Sequence, residues 1–327
     1  MSGGARERLP AAAARVPAEC GPGGGHGRPG ASPAGFAARG NGGARDRSDL
    51  SPGQVTGLLA DLGRTLGLRY GAGERDLERA GREPGRIVVP VRFHVVTDGK
   101  AGRLARSAVR RQVATLNAAY GGERGGADTG VSFRLEKYGV RDNARWFRAP
   151  QRHERAMKEA LSGGGAGTLN LYSAAVGSDV LGFSTFPHWY RRSPKVDGVV
   201  IDYRSLPGGP YRHFDLGYTA VHEIGHWLGL FHTFENGCES PGDGVDDTPY
   251  EAEPAEACPS GRDTCDQPGS DPLHNFMNYG WDDCMHEFTP GQGRRIRAAW
   301  AAYRAPGGES ERAHRGRSGA RSVAGAR

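Results

Sequence analysis

The 327-residue sequence has no long apolar run. No stretch approaches the roughly 20 apolar residues of a membrane-spanning helix, and no run of about 7 to 15 apolar residues follows the N-terminal charges as in a secretory signal peptide. The sequence therefore predicts no membrane partner and shows no export signal. A wrongly assigned start codon, a non-standard export route and an already removed signal stay open as explanations, because the cysteines described below favour an oxidising compartment.

An excess of one sign of charge is confined to the two ends of the chain. Arginines outnumber acidic residues seven to four in residues 1–50 and five to two in residues 305–327, which gives +3 at each end and accounts for the formal net charge of +6. Both ends are rich in Gly and Ala and lack periodic apolar residues, so we predict disordered tails. Because residues 51–304 are formally neutral, the sequence predicts no nucleic-acid partner.

One stretch carries clear chemistry, since residues 222–232 read HEIGHWLGLFH. The apolar residues around it predict a helix over residues 221–228. On this helix His222 and His226 lie one turn apart on the same face, where both can bind one metal ion. Glu223 flanks that face and is placed to act as a general base on a metal-bound water.

The turn after this helix supplies the rest of the predicted site. Gly229 can adopt the left-handed conformation that ends a helix, and the chain then returns His232 as a third nitrogen ligand. Three protein ligands leave a fourth position open, which is typical of a catalytic zinc site. Two alternatives are weaker. Histidines that only pack in a core need neither the glutamate nor the glycine, and a site with a glutamate ligand on a second helix would not need Gly229 or His232.

The extended pattern HExxHxxGxxH resembles the metzincin signature, which also requires a methionine turn beneath the metal. Residues 275–279, NFMNY, supply such a turn around Met277. The segments HEIGHWLGLFHTFENGC, GDGVDDTP and NFMNYGWDDCMHEFTPGQGRRI are similar to the pappalysin (cytophagalysin) branch of these zinc endopeptidases. The resemblance extends over residues 87–304, with its specific motifs in residues 222–304. Asn278 departs from the aspartate that many relatives have after the methionine.

This resemblance implies roles for several residues. Tyr279 would donate a hydrogen bond to the developing oxyanion, with a core tyrosine as the alternative. Met277 would pack beneath the ligands. Zinc would polarise its water while Glu223 takes the proton and later delivers it to the leaving amine, so the implied substrates are peptides or proteins.

An acidic loop, GDGVDDTP, follows the zinc ligands at residues 242–249. Asp243, Asp246, Asp247 and Thr248 offer hard oxygen ligands in a turn-prone segment, and calcium takes about six to eight oxygens. The resemblance also implies calcium in this loop, where the ion would stabilise the structure. A solvated acidic loop is the alternative.

Four of the five cysteines lie in the second half of the chain. They allow three disulfide pairings, and none of their spacings is the C-x2-C of a second zinc site. The resemblance implies the pairs Cys238–Cys265 and Cys258–Cys284, and hence a secreted protein. Cys20 is similar to the pro-segment cysteine that takes the open zinc position and keeps several metzincin branches latent. Its alternative is a leftover cysteine in a disordered tail.

Apolar patterning predicts the order of elements around the zinc helix. Strands are expected at residues 87–96, 131–140, 168–175 and 198–203, and helices at residues 107–120 and, after a Thr289 cap, 290–304. Residues 181–186 are a candidate edge strand on which an extended substrate would add, with an ordinary buried strand as the alternative. This order predicts an α/β (α+β) fold: a metzincin-like zincin with a twisted mixed sheet plus backing and active-site helices above the cleft.

Four segments are expected along the chain. Residues 1–50 and 305–327 are the disordered tails, residues 51–86 a pro-segment or lead-in helix, and residues 87–304 the catalytic domain. Within that domain, an upper subdomain ends at His232. An irregular, disulfide-stapled lower subdomain with a C-terminal helix occupies residues 233–304.

Three functions compete. A secreted, monomeric zinc endopeptidase is favoured over a catalytically silent, zinc-holding peptide-binding protein because Glu223 is intact. The third is a polyanion binder that uses the arginine-rich tails, and only such a protein should lose its activity when the tails are removed.

Overall fold

A five-stranded mixed sheet forms the frame of the protein, whose computed structural model describes residues 48–79, 81, 84–177 and 180–306. The elements in chain order are α1 (Pro52–Tyr70), α2 (Glu74–Arg79), β1 (Ile87–Thr97), α3 (Arg106–Tyr120), β2 (Val131–Asp142), α4 (Ala144–Arg148), α5 (Pro150–Leu161), β3 (Leu169–Ala174), β4 (Gly182–Ser184), β5 (Val199–Asp202), α6 (Tyr218–Trp227) and α7 (Pro290–Ala299). This mixed architecture confirms the predicted fold class. The greater part of both predicted tails, including Cys20, lies outside the described residues. No helix within the described ranges is long and apolar enough to cross a membrane.

The sheet has the order β2-β1-β3-β5-β4. Its first four strands are parallel, and β4 runs antiparallel to β5. All six residues of β3 are buried, because helices and loops cover both faces of the central strands. The four predicted strands are present, with ends that differ from the predicted bounds by one or two residues. The candidate edge strand is β4, at one edge of the sheet and largely buried.

Two helices pack on the sheet and form the main core. Leu116 of α3 and Ile224 of α6 lie in one apolar cluster with Phe93 of β1. The hydroxyl of Tyr120, at the end of α3, donates to the carbonyl of Val221 at 2.9 Å. The backing helix therefore holds the helix that carries the histidines. The structure also contains α4 and α5, which sequence periodicity did not predict because apolar residues are sparse there.

The N-terminal helix α1 is part of this folded unit. It begins with a capping box between Ser51 and Gln54. Its buried Leu62 and Leu66 pack against the C-terminal helical segment. Leu50, the last residue of the predicted N-terminal tail, packs against α1 and the loop after β4.

The C-terminal helical segment contacts the end of α6, the helix that carries His222 and His226. Thr289 caps α7 as predicted, and the helix continues as one π-helical turn from Trp300 to Arg304. The buried guanidinium of Arg304 donates to the carbonyl of Trp227 at 2.8 Å, lies over its indole ring at 3.5 Å, and pairs with Asp197 at 3.1 Å. Trp227 also donates to Asp197 at 2.9 Å. These contacts fix the end of α6.

Between α6 and α7 the described chain has no strand or long helix, and two disulfides stabilise this irregular segment. The disulfides are Cys238–Cys265 and Cys258–Cys284, the pairing that the resemblance implies. Each closes a loop of fewer than 30 residues. Loops of this size typically gain about 2–4 kcal/mol of stability from a disulfide.

Candidate metal centre

Helix α6 presents two of the three predicted ligands from the protein interior. All ten of its residues are buried, and Val221 and Ile224 face the core. His222 and His226 project one turn apart. The helix ends at Trp227 and Gly229 follows with φ of 102°, a conformation that side chains with a Cβ rarely adopt.

The three histidine rings meet at one point. The Nε2 atom of His226 lies 3.1 Å from Nε2 of His222 and 3.2 Å from Nε2 of His232. In a tetrahedral zinc site with Zn–N bonds of about 2.0–2.1 Å, neighbouring ligand nitrogens are about 3.3 Å apart. The arrangement therefore fits such an ion. Among the described residues, this is the one group of three or more His, Cys, Asp or Glu side chains close enough to hold a metal.

Each ring is oriented through its other nitrogen. Nδ1 of His222 donates to the carbonyl of Phe276 at 2.7 Å, and Nδ1 of His226 donates to the carbonyl of Leu230 at 2.8 Å. Nδ1 of His232 lies 3.0 Å from a carboxylate oxygen of Glu235. These partners favour the tautomer with hydrogen on Nδ1, so the lone pairs on all three Nε2 atoms are directed to a metal.

The side chain of Glu223 extends from α6 toward the edge strand β4. This side chain is buried, and a Cβ on Gly182 of β4 would meet its Oε1 atom at 2.6 Å. The strand therefore passes directly beside this carboxylate, and a side chain at position 182 would displace it. An extended peptide paired with β4 would lie next to both Glu223 and the histidines.

The methionine turn lies beneath the histidines. Met277 is fully buried, and its Sδ atom occupies the space that a Cβ on Gly225 would need. The hydroxyl oxygen of Tyr279 is 3.2 Å from Nε2 of His232, which places it at the metal centre. The same hydroxyl donates to Asp49 at 3.2 Å. Sequence reasoning missed Asp49, because it lies in a stretch that was predicted to be disordered.

A pocket opens beside Glu223 and contains a second buried carboxyl group, that of Asp282. Its lining includes Tyr218, Glu223, Tyr279, Asp282 and Met285. One carboxylate oxygen of Asp282 accepts from the backbone N–H of Leu216 at 2.8 Å. The other accepts no hydrogen bond from the described part of the chain. Burial raises the pKa of Asp282 to about 7.

The acidic loop predicted to bind calcium has its side chains in other contacts. Asp243 is buried and accepts from the N–H of Val245, and burial raises its pKa to about 7. Asp246 pairs with Arg75. Asp247 accepts from Thr289 and from the first turn of α7, and Thr248 is buried. Within the described ranges these carboxylates form no cluster of three. The structure therefore gives calcium no support, and calcium stays a prediction.

Comparisons with known proteins agree with this geometry. A family model described as pregnancy-associated plasma protein-A (Peptidase_M43) matches residues 189–301. An extracellular metalloprotease of Neurospora crassa is 43% identical over 231 residues, which are 67% of this chain and 76% of that protein. The chain belongs to the Peptidase_M43 family. A second relative, an extracellular metalloprotease of Pyricularia oryzae, is 41% identical over 225 residues, or 67% of this chain and 77% of that one.

Solved structures give the same result. Mature mirolysin of Tannerella forsythia in complex with a cleaved peptide has a TM-score of 0.57 and 26% identity, over 68% of this chain and 100% of that one. A promirolysin mutant from the same organism has a TM-score of 0.62 and 25% identity, over 79% and 94% of the two chains. As a Peptidase_M43 member, this chain is a metalloendopeptidase that acts on peptides or proteins. The pappalysin resemblance is confirmed.

Proposed function

We propose that the chain is a secreted, zinc-dependent endopeptidase in which His222, His226 and His232 hold the ion and Glu223 is the general base. The convergence of three Nε2 atoms, each on a ring whose Nδ1 is hydrogen-bonded, carries this proposal. When bound, zinc supplies Lewis acidity that polarises a peptide carbonyl and acidifies water.

The chain's own residues would perform the remaining steps. A peptide extended along β4 is held in register by backbone hydrogen bonds, with its scissile carbonyl beside Glu223. Glu223 accepts a proton from the attacking water and then delivers it to the leaving amine. Tyr279 donates a hydrogen bond to the oxygen on which negative charge develops.

The pocket beside Glu223 favours substrates with a basic side chain. A buried carboxyl such as Asp282 is costly to ionise alone, and its second oxygen can accept a hydrogen bond from an incoming cation. Arginine or lysine in this pocket would supply that donor and the missing positive charge. We expect Asp282→Asn to lower kcat/KM for arginine-containing peptides by about 30-fold or more, with little change for peptides that place a neutral residue there.

Latency and export are further parts of the proposal. The disulfides and the names of the relatives support release into an extracellular space. Cys20 as a latency ligand stays a prediction, because it lies outside the described residues. A monomer without nucleic-acid or membrane partners is the simplest form consistent with the neutral catalytic segment.

The decisive experiment measures casein cleavage by the full chain and by a Cys20→Ala chain that lacks the predicted latency ligand. We expect activity to disappear with a zinc chelator, to return with zinc, and to fall about 10²–10⁴-fold in Glu223→Gln. Metal content, measured on the same samples, should not change in that variant. Glu239→Gln, at an exposed glutamate after the third histidine, is the control for the loss of one charge. A Glu223→Gln enzyme with full activity would refute Glu223 as the general base, whereas a zinc-loaded wild-type chain that cleaves no casein would favour the silent peptide-binding protein.

A further inference from the structure

The three histidines differ in the hydrogen-bond acceptor that each Nδ1 atom contacts. Nδ1 of His222 and Nδ1 of His226 both bond to neutral backbone carbonyls. Nδ1 of His232 alone bonds to a carboxylate, that of Glu235, at 3.0 Å. A charged acceptor raises the basicity of the opposite ring nitrogen more than a neutral one does.

Glu235 is built into this position. Its backbone N–H donates to the carbonyl of His232 at 3.1 Å, so both residues belong to one tight turn. The ring of the intervening Phe234 stacks on the imidazole of His232, with centroids 4.8 Å apart and planes within 8° of parallel. Together the carboxylate and the phenyl ring fix the orientation of the third ligand.

Within the part of the chain that the structure describes, the Glu235 carboxylate has no lysine or arginine neighbour. It is buried, and no lysine or arginine within the described segments forms an ion pair with it. An isolated buried carboxylate is costly, and the partner of Glu235 among the described residues is a histidine whose other nitrogen points at the metal position. A dication bound there would provide the compensating charge through the imidazole.

We propose that Glu235 is a positioning residue that makes His232 the strongest of the three ligands and couples metal binding to the folding of the turn. This inference rests on the proposed zinc site. It predicts that the carboxylate destabilises the metal-free protein slightly and stabilises the loaded one. A glutamate with a purely structural role would stabilise both forms equally.

Zinc competition against a chromophoric chelator and thermal unfolding of the full chain, with and without zinc, test the proposal. Glu235→Gln keeps the shape and an acceptor oxygen but removes the charge. We expect it to weaken zinc binding about 10–100-fold, to reduce the zinc-induced rise in Tm, and to leave the metal-free Tm unchanged or higher. The matched control is Glu239→Gln, which removes one charge from an exposed glutamate in the segment that follows His232. It should change zinc affinity less than about fivefold.

Two results would overturn the proposal. One is wild-type zinc affinity in Glu235→Gln, and the other is an equal fall of Tm in the metal-free and loaded forms. Should Glu235→Gln fail to fold, Glu235→Asp keeps the charge, and its cobalt(II) absorption spectrum reports ligand geometry directly. Aspartate is one carbon shorter and withdraws the carboxylate from Nδ1 of His232. If Glu235→Asp has the wild-type spectrum and zinc affinity, Glu235 does not position the ligand and the proposal fails. A wild-type chain that binds no zinc would refute the proposed function itself.

Discussion

The side-chain amide of Asn278 donates to both carboxylate oxygens of Glu251, at 3.1 and 2.8 Å. Glu251 also accepts from the hydroxyl of Thr233, the residue after the third histidine, at 2.9 Å. Asn278 itself stands between Met277 and Tyr279. The pair therefore joins the methionine turn to the segment that carries His232, and both side chains are buried.

This contact explains why an amide suits position 278 and predicts the effect of an aspartate there. Burial raises the pKa of Glu251 to about 7. Its folded state therefore favours the proton, and the associated stability is present below about pH 4.5 and lost as the pH rises through 7. In Asn278→Asp two carboxyls would share the site. We expect near wild-type stability at pH 5, where a shared proton bridges them, and a loss of about 3 kcal/mol at pH 8.

Urea unfolding of the metal-free protein at both pH values measures this difference. The control is Asn143→Asp, since Asn143 caps α4 and aspartate is an equally good cap. It should change the free energy of unfolding little, at either pH. An Asn278→Asp protein that is as stable as wild type at pH 8 would contradict the interpretation of the Glu251 contact.

Tyr279→Phe removes the one hydroxyl placed beside the histidines by the methionine turn. We expect kcat to fall about 10²-fold, because a donor to the developing oxyanion is lost, while KM and zinc content stay near wild type. Stopped assays on a quenched fluorescent peptide, with metal analysis of the same samples, separate these effects. Tyr250→Phe, at the residue that follows the acidic loop, should retain full kcat. An unchanged kcat in Tyr279→Phe would mean that this tyrosine only packs in the core and takes no part in catalysis.

Gly225→Ala tests how closely the methionine turn approaches α6. The new methyl group would overlap Met277 Sδ, so we expect a loss of about 1–3 kcal/mol in unfolding free energy and reduced zinc affinity. Gly57→Ala is its matched control, because that helical glycine has nothing within 4 Å of the added carbon. It should stabilise the protein by about 0.5–1 kcal/mol. The idea of a close contact fails if both variants gain stability.

Leu66→Ala tests whether α1 belongs to the mature catalytic unit. Leu66 is fully buried against the C-terminal helical segment, and Leu68 in the same helix is 89% exposed. Truncating Leu66 should cost about 2–5 kcal/mol and truncating Leu68 less than about 0.5. Thermal unfolding of the active enzyme is the measurement. Equal stability of the two variants would mean that residues 51–86 are a removable pro-segment.

The centre of the site was predictable because its information is local. One helix and one turn fix the positions of Glu223 and the three histidines, and the methionine turn has its own sequence pattern. The capping box at Thr289 was equally local. The observed strand ends differ from the predicted ones by one or two residues, since hydrogen bonding to neighbouring strands, rather than residue propensity, sets where a strand ends.

The supporting residues could not be predicted in this way. Asp49 reaches Tyr279 across 230 positions of sequence, and Glu251 reaches Asn278 across 27. Neither pair has a spacing that marks a contact. Asp282 and Glu235 are acidic residues in loops, where a solvated side chain is the ordinary expectation. For Glu235, the three-residue spacing from a metal ligand was the one available signal.

Arg304 sets the order of events during synthesis. The end of the metal-site helix is held by a side chain that leaves the ribosome 77 residues after Trp227. A nascent chain has therefore made all three histidines well before it can lock the helix that presents two of them. We expect chains arrested upstream of Arg304 to lack hydrolytic activity, so the cell that makes this enzyme is spared its action until Arg304 has been synthesised.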